Sequence, residues 1–179
     1  AKEGYVGPNM VYVHAVWLTP EEIRIMADTG TKAAHCPAAN AQLGYGVAPV
    51  CEMLAQGIDV GLGTDGAASY TYDMFELMRT AAYLQKQKHL SADFLTAEQA
   101  IEMATIHGAK VLNLEKDIGS IEVGKKADLI LVDMNKPHLL PVNRYAPKLV
   151  YSAQGGDVRT TIIDGRVVME DYVVKTMDE

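Results

Sequence analysis

Across its first two-fifths the sequence runs three times through one unit: a short apolar run ending in a polar residue, a loop, an amphipathic helix and a glycine. No other feature constrains the fold as much, because strands that alternate with helices over short connections lie parallel in one sheet. In the first unit, residues 10–16 are rich in β-branched and aromatic side chains and read as a strand. Thr19, Pro20 and Glu22 make a capping box with proline at the first helical position. Ile23, Met26 and Ala27 follow at helical spacing, and Gly30 stops the helix. In the second unit, 31–35 is the strand and CPAANAQLGYGVA a long loop. Pro49 starts a helix carrying Val50, Met53 and Leu54, which ends at Gly57. In the third, 58–62 is the strand and GTDGAAS the loop. A longer helix over about 73–88 places Met74, Leu77, Met78, Ala81 and Leu84 on one face. The strands are apolar on both faces, as buried parallel strands are.

A further helix over about 96–112 opens with a Thr-x-x-Gln box, and the character of the chain then changes. GSIEVGKKADLILVDM reads as a turn, a short strand, a glycine turn and a strong strand. Residues 158–163 and 166–169 flank Asp164-Gly165, a strong short hairpin signal. A proline-containing connection over 136–147 separates these elements. The expected division is an α/β part over 1–115 and a small antiparallel β part with its linker over 116–179.

Each of the three α/β strands carries an ionisable residue at or near its C-terminal end: His14, His35 and Asp65. In parallel (β/α) barrels that end is the active face, where the βα loops gather. Taken singly, each residue has a plain structural reading, as a core histidine or a turn aspartate. Their matching position in three successive units is what raises all three to candidates. His89, His107 and His138 lack that placement and read as structural or solvated. Cys36 and Cys51 read as small buried hydrophobes, since no basic partner accompanies them. The glycines of LGYG and GLGTDG fit neither phosphate-loop nor dinucleotide patterns. Tyr70, Tyr72 and Tyr83 read as core or rim. A net charge of −7 argues against wholesale nucleic-acid binding, and no apolar run approaches the roughly 18 residues of a membrane span. Two cysteines make no disulfide framework, and a cytoplasmic location is the default expectation.

The segments VHAVWLTPEEI, AHCPAANAQLGYGVAPV, VGLGTDGAAS and DMFELMRTAAYLQK, with the tail GSIEVGKKADLILVD and TTIIDGRVVMED, resemble the amidohydrolase superfamily of metal-dependent hydrolases. Within it the chain looks most like the 5-methylthioadenosine/S-adenosylhomocysteine deaminases, with guanine deaminases and triazine hydrolases as neighbours. The resemblance implies the last three βα units of a TIM-like (β/α)8 barrel followed by a small β-sandwich element. It implies that Asp65 binds a divalent metal ion, zinc or iron, and takes a proton from the water that attacks. It implies that His14 acts in catalysis and substrate binding by orienting the hydroxide or the reacting ring, and that His35 lines the same pocket. Hydrolytic release of ammonia from an adenine nucleoside is the implied reaction, with guanine deamination or triazine hydrolysis as the alternative.

The family's other metal ligands, a His-x-His pair and a further histidine, and its proton-shuttling glutamate have no match here. Tyr70 and Tyr72 stand where the deaminase group carries an Asn-rich stretch. A full barrel needs roughly 200–250 residues, so 179 with a β appendage do not hold one. The expectation is a C-terminal part, inactive alone, that needs the missing N-terminal half of the barrel as its partner. A small purine-like molecule is the expected substrate, and self-association into a homo-oligomer stays open. The alternative of another class is a non-catalytic half-barrel. A sugar-phosphate barrel enzyme is weaker, because Asp65 would repel an anion there.

Overall fold

The computed structural model describes residues 4–66 and 71–177. Three short strands, β1 (Val11–Val13), β2 (Lys32–His35) and β3 (Val60–Leu62), form one parallel sheet in the order β1-β2-β3. Helix α1 (Pro20–Thr29) connects the first two strands. Helices α2 (Pro37–Gln42) and α3 (Val50–Ala55) connect the next two. The local signals act as expected. Thr19 and Glu22 cap α1 reciprocally, and Gly30 closes it in the left-handed region at φ 69°.

Beyond β3, helix α4 (Met74–His89) is followed by α5 (Ala97–Ala104) and α6 (Ile106–Val111). Asp73 caps α4 by accepting from the Phe75 amide at 2.9 Å, and its other oxygen accepts from the Gly155 amide at 2.8 Å. The expected single helix over 96–112 is two, because Thr105 leaves the helical region at φ −126°, ψ −96°. Apolar residues keep helical spacing through the break in the sequence, at Ala97, Ile101, Ala104 and Val111, so the periodicity conceals it.

The rest of the chain forms a four-stranded antiparallel sheet of β4 (Leu129–Val132), β5 (Val158–Ile163), β6 (Arg166–Glu170) and β7 (Val173–Val174), in that order. A sandwich needs a second facing sheet, and the described residues of this part supply one sheet. The hairpin at Asp164-Gly165 is as expected, with both residues at positive φ (50° and 76°) as a two-residue turn of this kind requires. The short strand expected near 121–123 is absent. Ile121 and Val123 lie exposed in a turn region between Gly119 and Gly124, both at positive φ. The connection over 136–147 is more ordered than expected. It holds a 3-10 turn (Pro137–Leu139) and runs into helix α7 (Tyr145–Tyr151), with Pro147 in its first turn, where a missing N–H costs nothing.

One core spans these parts. Met26, Met53, Val60, Met78 and Met103 share it with Leu139, Val150 and Ala153. Arg79 reinforces the contact by donating to the carbonyls of Val150 and Ala153. No described helix is long and apolar enough to cross a membrane.

Candidate active site

His14 follows β1 directly. The strand ends at Val13, short of the expected 16, because His14 and Ala15 both adopt left-handed backbone (φ 67° and 48°). The His14 amide still donates to Ala34 O at 3.0 Å, so the residue leaves the sheet from its last rung with the ring turned out. Asp65, three residues past β3, is also left-handed at φ 62°. One of its carboxylate oxygens accepts from the Gly66 amide at 2.7 Å. The other lies 3.7 Å from His14 Nε2, with the two side chains 31% and 27% exposed. Residues that follow two different strands thus meet at the C-terminal mouth of the sheet.

His35 closes β2 and is 1% exposed. Neither ring nitrogen has a hydrogen-bond partner among the described residues. Burial, with a smaller push from the neighbouring His14, drives its pKa down to about 4, so the ring is neutral. A base whose folded pKa lies below its unfolded value (about 6.5) leaves stability intact above the unfolded pKa. Stability is then lost as the pH falls from there toward 4, because the unfolded chain takes a proton that the folded chain refuses. The expected loss is on the order of a few kcal/mol. Urea unfolding of wild type and His35→Gln at pH values on either side of this window checks it. Parallel pH dependence in the two proteins would refute the assignment.

Cys36, also buried, sits behind the mouth. Burial and the Asp65 charge raise its thiol pKa, which fits an inert hydrophobe and not a nucleophile; Cys51 is likewise raised by burial. The other histidines pair with carboxylates elsewhere: His89 with Glu52, His107 with Asp59 and His138 with Asp157. Asp59 and His107 line a cavity of about 310 Å³ at the opposite end of β3. Tyr72 and Tyr83 are both exposed, and Tyr83 stacks on Tyr151 with centroids 5.6 Å apart. Tyr70 lies outside the described residues.

Two residues of this mouth escaped the sequence reading. Asn40 lies on α2 and is 1% exposed; its side-chain oxygen is 2.8 Å from His14 Nδ1. Tyr45 sets its ring edge-on to His14, with centroids 6.0 Å apart. Both lie in the segment CPAANAQLGYGVA, expected as a loop. The signal available was Pro37 at a first helical position, ahead of a run of small residues.

A zinc-type ion takes imidazole and carboxylate donors at ~2.0–2.2 Å. Asp65 offers a partly exposed carboxylate of this kind, with His14 beside it. Among the described residues no group of three or more His, Cys, Asp or Glu side chains is arranged to hold a metal. This stretch therefore fits one corner of such a centre.

A model of the amidohydrolase family matches residues 2–168. A 5-methylthioadenosine/S-adenosylhomocysteine deaminase from Moorella thermoacetica is 49% identical over 178 residues, covering 99% of this chain and 42% of the relative. A 5'-deoxyadenosine deaminase from Methanosarcina mazei is 46% identical over 177 residues, covering 98% of this chain and 40% of the relative. Among solved structures, an adenosine deaminase from Xanthomonas campestris with bound zinc superposes with a TM-score of 0.96 at 35% identity, over 99% of this chain and 40% of that one. The chain thus spans about two-fifths of the length of the relatives it matches.

Proposed function

The chain belongs to the amidohydrolase family, and from that premise we propose that it forms the C-terminal part of a metal-dependent aminohydrolase that releases ammonia from an adenine nucleoside such as 5-methylthioadenosine or S-adenosylhomocysteine. The observation that carries the reading is the meeting of His14 Nε2 and Asp65 at 3.7 Å on the mouth of a parallel sheet. We assign residues 1–115 to the last βα units of the barrel and 116–179 to the small β domain with its linker. The strands that complete the barrel, and any sheet that makes the β domain a sandwich, belong to the sequence that the relatives have and this chain does not span.

Asp65 would hold a divalent ion, zinc or iron, with the remaining donors supplied by the rest of the barrel. When bound, such an ion makes hydroxide available near neutral pH by lowering the pKa of water to about 7. Asp65 takes up the proton that the attacking water gives up. His14 Nε2, on the same side of the mouth, accepts the remaining hydrogen of the attacking oxygen and so orients it toward the amine-bearing ring carbon. His35, neutral and buried, walls the pocket and excludes bulk water. The ring nitrogen gains its proton from a donor outside this chain, and ammonia leaves.

Ammonia release by the full-length protein tests the proposal. Expected is a kcat/KM for 5-methylthioadenosine, S-adenosylhomocysteine or 5'-deoxyadenosine at least about 100-fold above that for guanine or a triazine, a ratio within reach of pocket discrimination. A preference for guanine or a triazine would overturn the substrate class. Ammonia release from none of them would overturn the reaction. The isolated chain is expected to be inactive.

A further inference from the structure

The geometry points to Asn40 as the residue that fixes the tautomer of His14, and so decides which face of the imidazole chemistry Asp65 meets; the inference rests on the role given to His14 above. The amide oxygen of Asn40 faces His14 Nδ1 at 2.8 Å. An amide oxygen only accepts, so Nδ1 carries the proton, and in the neutral ring Nε2 is then bare. Nε2 is the atom turned toward Asp65. The mouth therefore presents two acceptors, a carboxylate oxygen and an imidazole nitrogen, 3.7 Å apart. That separation suits one O–H donor lying between them, a water whose hydrogens point at Asp65 and His14 and whose lone pair is left for the substrate. Once Asp65 has taken a proton, the bare Nε2 is also the neighbour able to share it.

Asn40 is built for holding. It is 1% exposed on α2, and its backbone is tied at both ends: its amide donates to Cys36 O at 3.0 Å and its carbonyl accepts from the Tyr45 amide at 2.9 Å. The second bond also seats Tyr45, whose ring meets the edge of His14 at an interplanar angle of 88°. The same short segment thus holds the imidazole at its Nδ1 and packs a second ring at right angles to it. The Asn40 Nδ2 is buried and unpaired among the described residues, so the ring contact accounts for the side chain's polar bonding. Asn40 touches no reacting atom in this arrangement; it is a positioning residue.

The test is nitrogen NMR of the full-length protein carrying 15N-labelled histidine, recorded at alkaline pH, with the His14 signals identified by their loss in His14→Asn. Expected is a His14 ring protonated at Nδ1 and bare at Nε2. Asn40→Leu, which keeps the bulk and removes the acceptor, is expected to mix the two tautomers and to lower kcat on the order of 100-fold, within the range seen when an orienting partner is lost. KM should stay within about threefold, since the change falls on the chemical step. Asn40→Asp, which keeps an acceptor at the same reach, is expected to retain the wild-type tautomer. A wild-type ring protonated at Nε2 overturns the inference, as does an Asn40→Leu protein whose tautomer and kcat are unmoved. The wild-type spectrum decides even if Asn40→Leu does not fold. Because the spectrum needs no turnover, a protein with the expected tautomer and no ammonia release would count against the reaction and leave the tautomer assignment standing.

Discussion

Asp65→Asn in the full-length protein is expected to lower kcat by about 10³-fold or more and to leave the purified protein with well under one metal ion per chain. The carboxylate is asked to do two things that an amide cannot. In the proposed function it would supply an anionic ligand to a divalent ion and accept a proton, a contribution commonly worth about 10²–10⁴-fold by itself. Asparagine is the informative replacement because Asp65 sits at φ 62°, a region that Asn and Asp enter more readily than other side-chain-bearing residues. The substitution removes charge and basicity while leaving the backbone at ease, so the melting temperature of the metal-free forms should hardly move. Elemental analysis and single-turnover ammonia release check both halves of the expectation. A variant that keeps one metal per chain and a kcat within tenfold of wild type would remove Asp65 from both roles.

Gly119→Ala should destabilise the fold by about 3–5 kcal/mol, the sum of an overpacked contact and a strained backbone. Gly119 has φ +92°, and a Cβ there would lie 2.7 Å from the Ala109 Cβ, 3.0 Å from the Ile106 Cα and 3.2 Å from the Thr105 carbonyl. Two of these three are backbone atoms of the turn into α6 and cannot rotate away. A loss of this size lowers the melting temperature on the order of 10 °C in a domain of this length. A shift under about 2 °C by calorimetry would mean that the approach of 119 to α6 relaxes at little cost. The same approach explains why no strand forms just after it. The chain is committed at Gly119 to packing against α6, and the apolar side chains of Ile121 and Val123 are left facing outward.

What was legible in the sequence is what local chemistry decides. The three parallel strands, the capping boxes at Thr19 and Thr96 and the Asp164-Gly165 hairpin each announce themselves within a few residues. The juxtaposition of His14 with Asp65 was legible at one remove, because equivalent positions in successive βα units come together in any parallel sheet. Helix α2 was not, because Pro37–Gln42 offers small residues and no apolar period; its form is set by burial against α4. The break at Thr105 is hidden by apolar residues that keep helical spacing across it in the sequence. Alternating apolar residues near 121–123 imitate a strand, but no neighbour pairs with them among the described residues. The Asn40 contact to His14 links residues 26 apart, a pairing that no local pattern encodes.

The carboxylate of Asp73 has a mechanical consequence. One oxygen closes the start of α4, the helix that follows the Asp65 loop, while the other reaches the Gly155 amide in the segment that feeds β5. Arg79, further along the same helix, grips the carbonyls of Val150 and Ala153 from the next turns. The helix therefore cannot slide along its axis without dragging the mounting of the small sheet, nor can that sheet tilt without loading the helix. A force applied at the sheet's outer surface is passed to α4 through Asp73 and Arg79, so the small sheet and that helix carry load as one piece.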